Sequence, residues 1–439
     1  MYLQTPFELD RLANYISRFI AIVGRERWFR RADQLDVEQR KSPYLQKIVA
    51  DYHWLEMAIS YQADVLTKEG RLIPELTTAL ILAALNFAAV AVEIHAQLSP
   101  KGKQVLEGRL RDALKADTGF APLYSEFDIA QRLMDGGYDV QFVDMEGLAR
   151  FDLVFKRGAF VGEVECKSIS VDAGRQIHRK DFYRFMDSIA PALARRVELR
   201  RQEVLLITLE ARLSPNTLLQ AKLLRATVSM LLGGAPTMVD GPGFKLEIKP
   251  YADLFAGAPM HEKKAFQEAC ELALGAHTHV AGELSEQGGC LIAMRSQRDD
   301  DTSKPMLEAM RKAASQFSGE RPAFIAIQEH GIEAPDLMLP HVRRRTAILS
   351  YALFGHYGAA HVNATYVTGF GAIVVRDGQV GTPAFTVPNP QPTFPISAAE
   401  AALFLESLSD TDYANAIGAP LPAPNISFLE IETPGDGTI

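Results

Sequence analysis

Residues 150–168 constrain this chain more than any other stretch. They read Arg-Phe-Asp-Leu-Val-Phe, then Lys-Arg-Gly-Ala, then Phe-Val-Gly-Glu-Val-Glu-Cys-Lys-Ser. Two alternating apolar runs flank a short basic turn around Gly158, which is the pattern of a β-hairpin. Side chains two apart on a strand share a face. Glu163, Glu165 and Lys167 therefore point one way, and Phe160, Val164 and Cys166 the other. A turn near Gly158 brings Asp152 to the same end of the polar face.

Two carboxylates and an ammonium then converge on one patch, with a third carboxylate beside them. Carboxylate oxygens are the ligands that a hard divalent cation such as Mg²⁺ prefers. A neighbouring lysine supplies a point charge suited to a phosphate oxygen or a metal-bound water. The plain alternative is an exposed strand face carrying alternating charges.

An Asp, twelve residues and then Glu-x-Lys resembles the active-site signature of the PD-(D/E)XK nuclease superfamily. The match lies in Phe151-Asp152-Leu153-Val154 and Val164-Glu165-Cys166-Lys167. Phe151 stands where the motif's proline would be, a departure the family often tolerates. The family's core runs α-β-β-β-α-β, and residues 124–212 can be read in that order. A helix at 123–135 stops at Gly136-Gly137, a strand follows at 138–144, and the hairpin comes next. A helix at 172–201 and a buried strand at 203–209 then close the core. The resemblance covers about ninety residues. It implies an α/β fold with a restriction-endonuclease-like αβββαβ core. The expected domains are a helical one over 1–116, the core over 117–235, and a C-terminal α/β region over 236–439 with a proline-rich tail from Thr382 to Pro395.

For the site, the resemblance implies that Asp152 and Glu165 hold one or two Mg²⁺ or Mn²⁺ ions. The main-chain carbonyl of Cys166 would help, and so would Glu126, which matches a glutamate often found on the family's first core helix. Glu126 also reads as an acid in a helix first turn, favourable against the macrodipole. Lys167 would orient or help to deprotonate the attacking water. Glu163 either supports the site from behind or faces solvent. Gln176 falls early in the next helix, where family members often place a residue touching phosphate or water. The activity implied is that of a metal-dependent endonuclease acting on phosphodiester bonds, with double-stranded DNA favoured and phage defence or repair as the setting. The alternative is a nuclease-like fold that binds nucleic acid or assembles without turnover.

Composition narrows the partners. The chain has 439 residues, 47% hydrophobic and 23% charged, with a net charge of −8. A protein that coats nucleic acid is usually basic, so contact here must come from a local patch. Residues 175–201 hold eight Lys or Arg against three acids, directly after the Glu-x-Lys strand. Arg175, Arg179, Lys180 and Arg184 are the expected phosphate contacts, which position a duplex without reading its sequence. A solvated amphipathic helix is the alternative.

The first 116 residues carry apolar side chains at helical spacing over 7–19, 44–68, 74–97 and 103–115. Such a domain suits homodimerisation or partner docking. Arg25, Arg27, Arg30 and Arg31 cluster around Trp28 and Phe29, as a nucleic-acid contact or as a solvated helix end over a tucked aromatic. The most apolar run, 79–92, is shorter than the roughly 20 residues of a membrane span and reads as a buried helix. Three widely spaced cysteines fit a reducing compartment. With no signal-peptide pattern at residues 1–10, the expected location is the cytoplasm, without membrane contact.

Overall fold

The structure, a computed structural model, describes residues 9–73, 79–199, 201–213, 217–233, 236–255, 263–275, 278–285, 288–333, 337, 339–370, 373–374, 380–381, 384–397 and 400. The fold is mixed α/β. The elements begin with α1 (Leu9–Val23), α2 (Arg25–Lys41), α3 (Gln46–Glu69), α4 (Ala79–Gln97), α5 (Pro100–Ala113) and α6 (Ala121–Asp135). Strands β1 (Asp139–Phe142), β2 (Leu153–Arg157) and β3 (Phe160–Ser170) follow. Next come α7 (Arg179–Val197), β4 (Gln202–Leu209), α8 (Thr217–Leu231), β5 (Met238–Gly241), β6 (Phe244–Pro250), α9 (Tyr251–Phe255) and α10 (Lys263–Leu274). The remainder is β7 (His279–Ser285), β8 (Gly288–Ser296), α11 (Ser303–Ala314), β9 (Ala323–Glu333), α12 (Pro340–His356), β10 (Val362–Phe370), β11 (Ile373–Val374), β12 (Val380–Gly381) and β13 (Ala384–Pro388).

Contacts gather the chain into two units. Among the described residues, the first holds those within 9–37, 49–171 and 303–400, and the second those within 38–48 and 172–302. These are not the three consecutive segments expected from the sequence. The helices of the first 116 residues form as the apolar spacing predicts, but α2 joins them where only an arginine cluster had been legible. Trp28 is buried there, with its indole N–H donating to Ser60 Oγ at 2.9 Å, and Arg31 reaches His53 Nε2 at 3.1 Å. The tucked aromatic is thus the reading that holds. Between α4 and α5, the Ser99 hydroxyl accepts from the Gly102 amide at 3.1 Å and Pro100 opens the helix, a strong start signal. Helix α4 is long and apolar enough by composition to cross a bilayer. Its Ala84, Leu85 and Phe87 to Val92 lie instead in the first unit's core, as a helix apolar on all sides must.

In the first unit six strands form one sheet, in the order β1-β2-β3-β9-β10-β13. The meander β1-β2-β3 is antiparallel, β3 pairs with β9 and β9 with β10 in parallel, and β13 closes the edge antiparallel to β10. Alternation sorts the side chains into two layers. Leu153, Phe155, Val164, Phe324 and Ala326 pack with α1 and α3 to α6. Val154, Ile325, Ile327, Val367 and Phe385 pack with α11 and α12. Strand β13 falls within the expected proline-rich tail, and four of its five residues are buried. The residues beyond 400 lie outside the described ones.

The hairpin is as expected. Leu153 faces Val164 and Arg157 faces Phe160, joined through Gly158 at φ +61°. Inside it, Gly162 lies opposite Phe155, and a Cβ there would sit 2.4 Å from the Phe155 ring. Tyr138, Phe160 and Phe324 hold that ring in place. Gly162→Ala should therefore destabilise the fold by about 1–3 kcal/mol, as overpacked cores do, readable as a lowered urea midpoint with an unchanged slope.

The closing strand is the main correction. β4 was expected to close the core that β1 to β3 begin, but it lies in the second unit, in a five-stranded sheet ordered β5-β6-β4-β8-β7. Its hydrogen-bonded neighbours are β6, antiparallel, and β8, parallel. The strand that runs parallel to β3 is β9, with Glu165 opposite Ile325 and Lys167 opposite Ile327. A parallel partner requires a crossover, usually a helix, and α11 supplies it. Residues 172–302 are thus an insertion between β3 and α11, and they build the second unit.

Candidate functional site

The turn after β1, the residue before β2 and the middle of β3 come together at Asp144, Asp152 and Glu165 respectively. The Val143 amide donates to the Asp152 carbonyl at 3.0 Å, which carries the β1–β2 ladder one step beyond its last pair. The Asp152 amide donates to Glu165 Oε2 at 3.1 Å, and the Cys166 amide donates to Asp152 Oδ2 at 2.7 Å. These two bonds lock the motif's halves against each other. Lys167 Nζ donates to Glu165 Oε1 and, at 3.0 Å, to Gln316 Oε1. The sequence expectation that Asp152, Glu165 and Lys167 converge is what the geometry contains.

Helices α5 and α6 complete the cluster. Glu126 on α6 is buried, and one ligand oxygen each from Glu126, Asp144 and Asp152 lie within 4.8 Å of one another. Arg109 on α5 spans two of these acids, donating to Glu126 Oε2 at 3.1 Å and to Asp144 Oδ2. Among the described residues, Asp152 is the one carboxylate of these four that forms no ion pair.

The electrostatics follow from crowding acids in a dry place. Burial first, and then the charge of Glu165, push the Asp152 carboxyl up to about 7. Burial lifts Glu126 well above the carboxylate range, the charge of Asp152 adds to it, and Arg109 opposes. Asp144 and Glu165 are raised by burial too, against the pull of Arg109 and Lys167 respectively. The Cys166 thiol goes up well above its ordinary value, by burial and then by Asp152. Such a set gains from a cation. Hard oxygen donors packed this closely could hold a divalent ion, and Glu126, Asp144 and Asp152 are the acids whose oxygens come near enough to share one.

Asp144, Arg109 and Gln316 were not legible as site residues. Asp144 belongs to the end of a strand run, Arg109 comes from a helix and Gln316 from the turn after α11, both distant in sequence. Gln316 is 149 positions from Lys167. It also donates to the Arg150 carbonyl at 2.8 Å, so it ties the segment after α11 to both halves of the motif.

Glu163 does not face solvent. It is 0% exposed and accepts from the Ser318 amide at 3.0 Å and the Ser318 hydroxyl at 2.6 Å. Its task is to fix the segment that carries Gln316. The remaining expected residues belong to the second unit. There the Gln176 amide donates to Asp300 Oδ1 at 2.7 Å and its side chain to the Asp299 carbonyl at 3.1 Å. Gln176 thus joins the two ends of the insertion.

Arg175 and Arg179 are 9% and 6% exposed, too buried for phosphate contact. Arg179 Nε donates to both carboxylate oxygens of Asp172 at 3.2 Å. Against the effect of burial, Arg179 and then Arg175 hold the Asp172 carboxyl below its usual range. The physical reason is that a charge run near a helix start can serve the fold's own acids first. Lys180 is half-buried and Arg184 is exposed, 3.9 Å from Asp181. Arg179→Ala should cost the second unit about 3–5 kcal/mol by stranding Asp172, measured by urea unfolding.

No family model, no curated protein and no solved structure matches this chain.

Proposed function

We propose that this protein is a divalent-metal-dependent nuclease of the PD-(D/E)XK type, hydrolysing phosphodiester bonds of nucleic acid, with double-stranded DNA the favoured substrate. The observation that carries this reading is the interlocked trio Asp152, Glu165 and Lys167 at the mouth of the β2–β3 hairpin. The order around it supports the same reading. Helix α6, strands β1 to β3, helix α11 and strand β9 run α-β-β-β-α-β, once residues 172–302 are read as an insertion. Glu126 projects from the first helix of that series, where the family often keeps a glutamate.

Phosphodiester hydrolysis needs charge neutralised on the phosphate, an activated water and a stabilised leaving oxygen. A bound Mg²⁺ or Mn²⁺ would supply Lewis acidity and lower the pKa of a water. The chain's own residues do the rest. Asp152 and Glu165 would fix the cation. Lys167, held between Glu165 and Gln316, would orient the attacking water and offset charge on the phosphate. Glu163, through Ser318, keeps Gln316 in register with Lys167.

The test is a cleavage assay on supercoiled plasmid, linear duplex, and single-stranded DNA and RNA, in Mg²⁺, Mn²⁺ or EDTA. Cutting that requires metal is the expected result, with duplex DNA preferred. Protection of nucleic acid without cutting, in every metal, would replace this reading with the non-catalytic binding role.

A further inference from the structure

Arg109 adds a constraint on the acid cluster beyond the family resemblance. Its guanidinium occupies the space between Glu126 and Asp144, bonded to both. Burial works against its charge, and Glu126, then Asp144, then Asp152 more than offset that. Around the hairpin mouth stand four carboxylates, Glu126, Asp144, Asp152 and Glu165, and two cationic side chains, Arg109 and Lys167. Fully ionised, this set keeps two negative charges. One divalent cation cancels them, and a second would leave a surplus of positive charge in a buried place, which is costly.

We infer that Arg109 acts as a resident cation in the position a second metal would take, so that the site binds a single divalent ion, on the side of Asp152 and Glu165. The inference rests on the proposed metal site and goes further, because it sets the number of ions and names the residue that sets it. Asp152 is the acid left without an ion pair among the described residues, and it is flanked by the Cys166 main chain. Arg109 is held to the other two acids with its side chain 34% exposed. Removing it would leave Glu126 and Asp144 with no counter-charge, on a side that solvent ions can reach. Arg109 is thus a positioning residue. It touches neither the motif lysine nor the hairpin in any bond described here.

The experiment titrates Mn²⁺ into the metal-free full chain by calorimetry, with equilibrium dialysis as a second count. Wild type should take up one ion per chain. Arg109→Ala should take up a second, and pairing that change with Glu126→Gln should bring the count back to one. Arg109→Lys, which keeps the charge, should stay at one. The wild-type count needs no variant to fold. Two ions in wild type, or an unchanged count in a folded Arg109→Ala protein, would overturn the role of Arg109 while leaving the metal site standing. No uptake of Mn²⁺ by wild type would overturn the metal site itself, and the inference with it.

Discussion

Asp152→Ala and Lys167→Ala are each expected to reduce metal-dependent cleavage by roughly 10²–10⁴-fold, the usual range for removing a positioned acid–base group. The two losses should differ in kind. Asp152→Ala removes the carboxylate that anchors the Cys166 amide and would carry the cation, so it should weaken Mn²⁺ uptake along with turnover. Lys167→Ala leaves the carboxylates in place and should keep metal uptake while the chemical step fails, showing as a lower kcat at similar substrate affinity. Single-turnover cleavage beside Mn²⁺ titration separates the two. Full activity in both variants would end the nuclease assignment to this site. Gln316→Ala offers no comparable test, because Gln316 also supports Arg150.

The second large effect is on stability against pH in the absence of metal. Burial, and then the charge of Glu165, push the Asp152 carboxyl up to about 7 in the fold, from an ordinary value near 3.8. A carboxyl whose folded pKa is raised binds more protons folded than unfolded, so its contribution to stability is whole below pH 4 and is lost as pH rises through 7. Glu126 is shifted the same way. Between pH 4 and pH 7 the Asp152 contribution in the metal-free protein should therefore fall, on the order of 1.4 kcal/mol per pH unit of separation for one such group. Asp152→Asn removes the charge while keeping the shape. It should flatten that slope and raise the melting temperature at pH 8 by several degrees, roughly 2–4 °C per kcal/mol for a domain of this size. Saturating Mn²⁺ should restore wild type at pH 8 and give Asp152→Asn much less. Calorimetric melts in EDTA and in Mn²⁺ across pH 4 to 8 read all three arms. An Asp152→Asn protein with the same pH slope as wild type, or one less stable at pH 8, would contradict the charge crowding described above.

What the sequence determined by itself is local. The β-hairpin of Asp152 and Lys167 was legible because strand alternation and a glycine turn are encoded within about twenty contiguous residues. The helices of the first 116 residues were legible for the same reason, since apolar spacing declares a buried face. Glu126 could be singled out because its helix directly precedes the meander. Tertiary structure decided what crosses long stretches of chain. The strand beside β3 could be 203–209 or 323–333, as both are short apolar runs after a helix. The choice of β9 over β4 rests on which sheet each completes, and an insertion of a whole unit leaves no mark in local periodicity. Arg175 and Arg179 carry the same charge as Arg184, yet only folding tells which arginines are spent on a buried Asp172. Arg109 and Gln316 became site residues because a helix and a turn from distant parts of the chain pack against one hairpin, and side-chain bonds over such separations are set by packing rather than by any pattern in sequence.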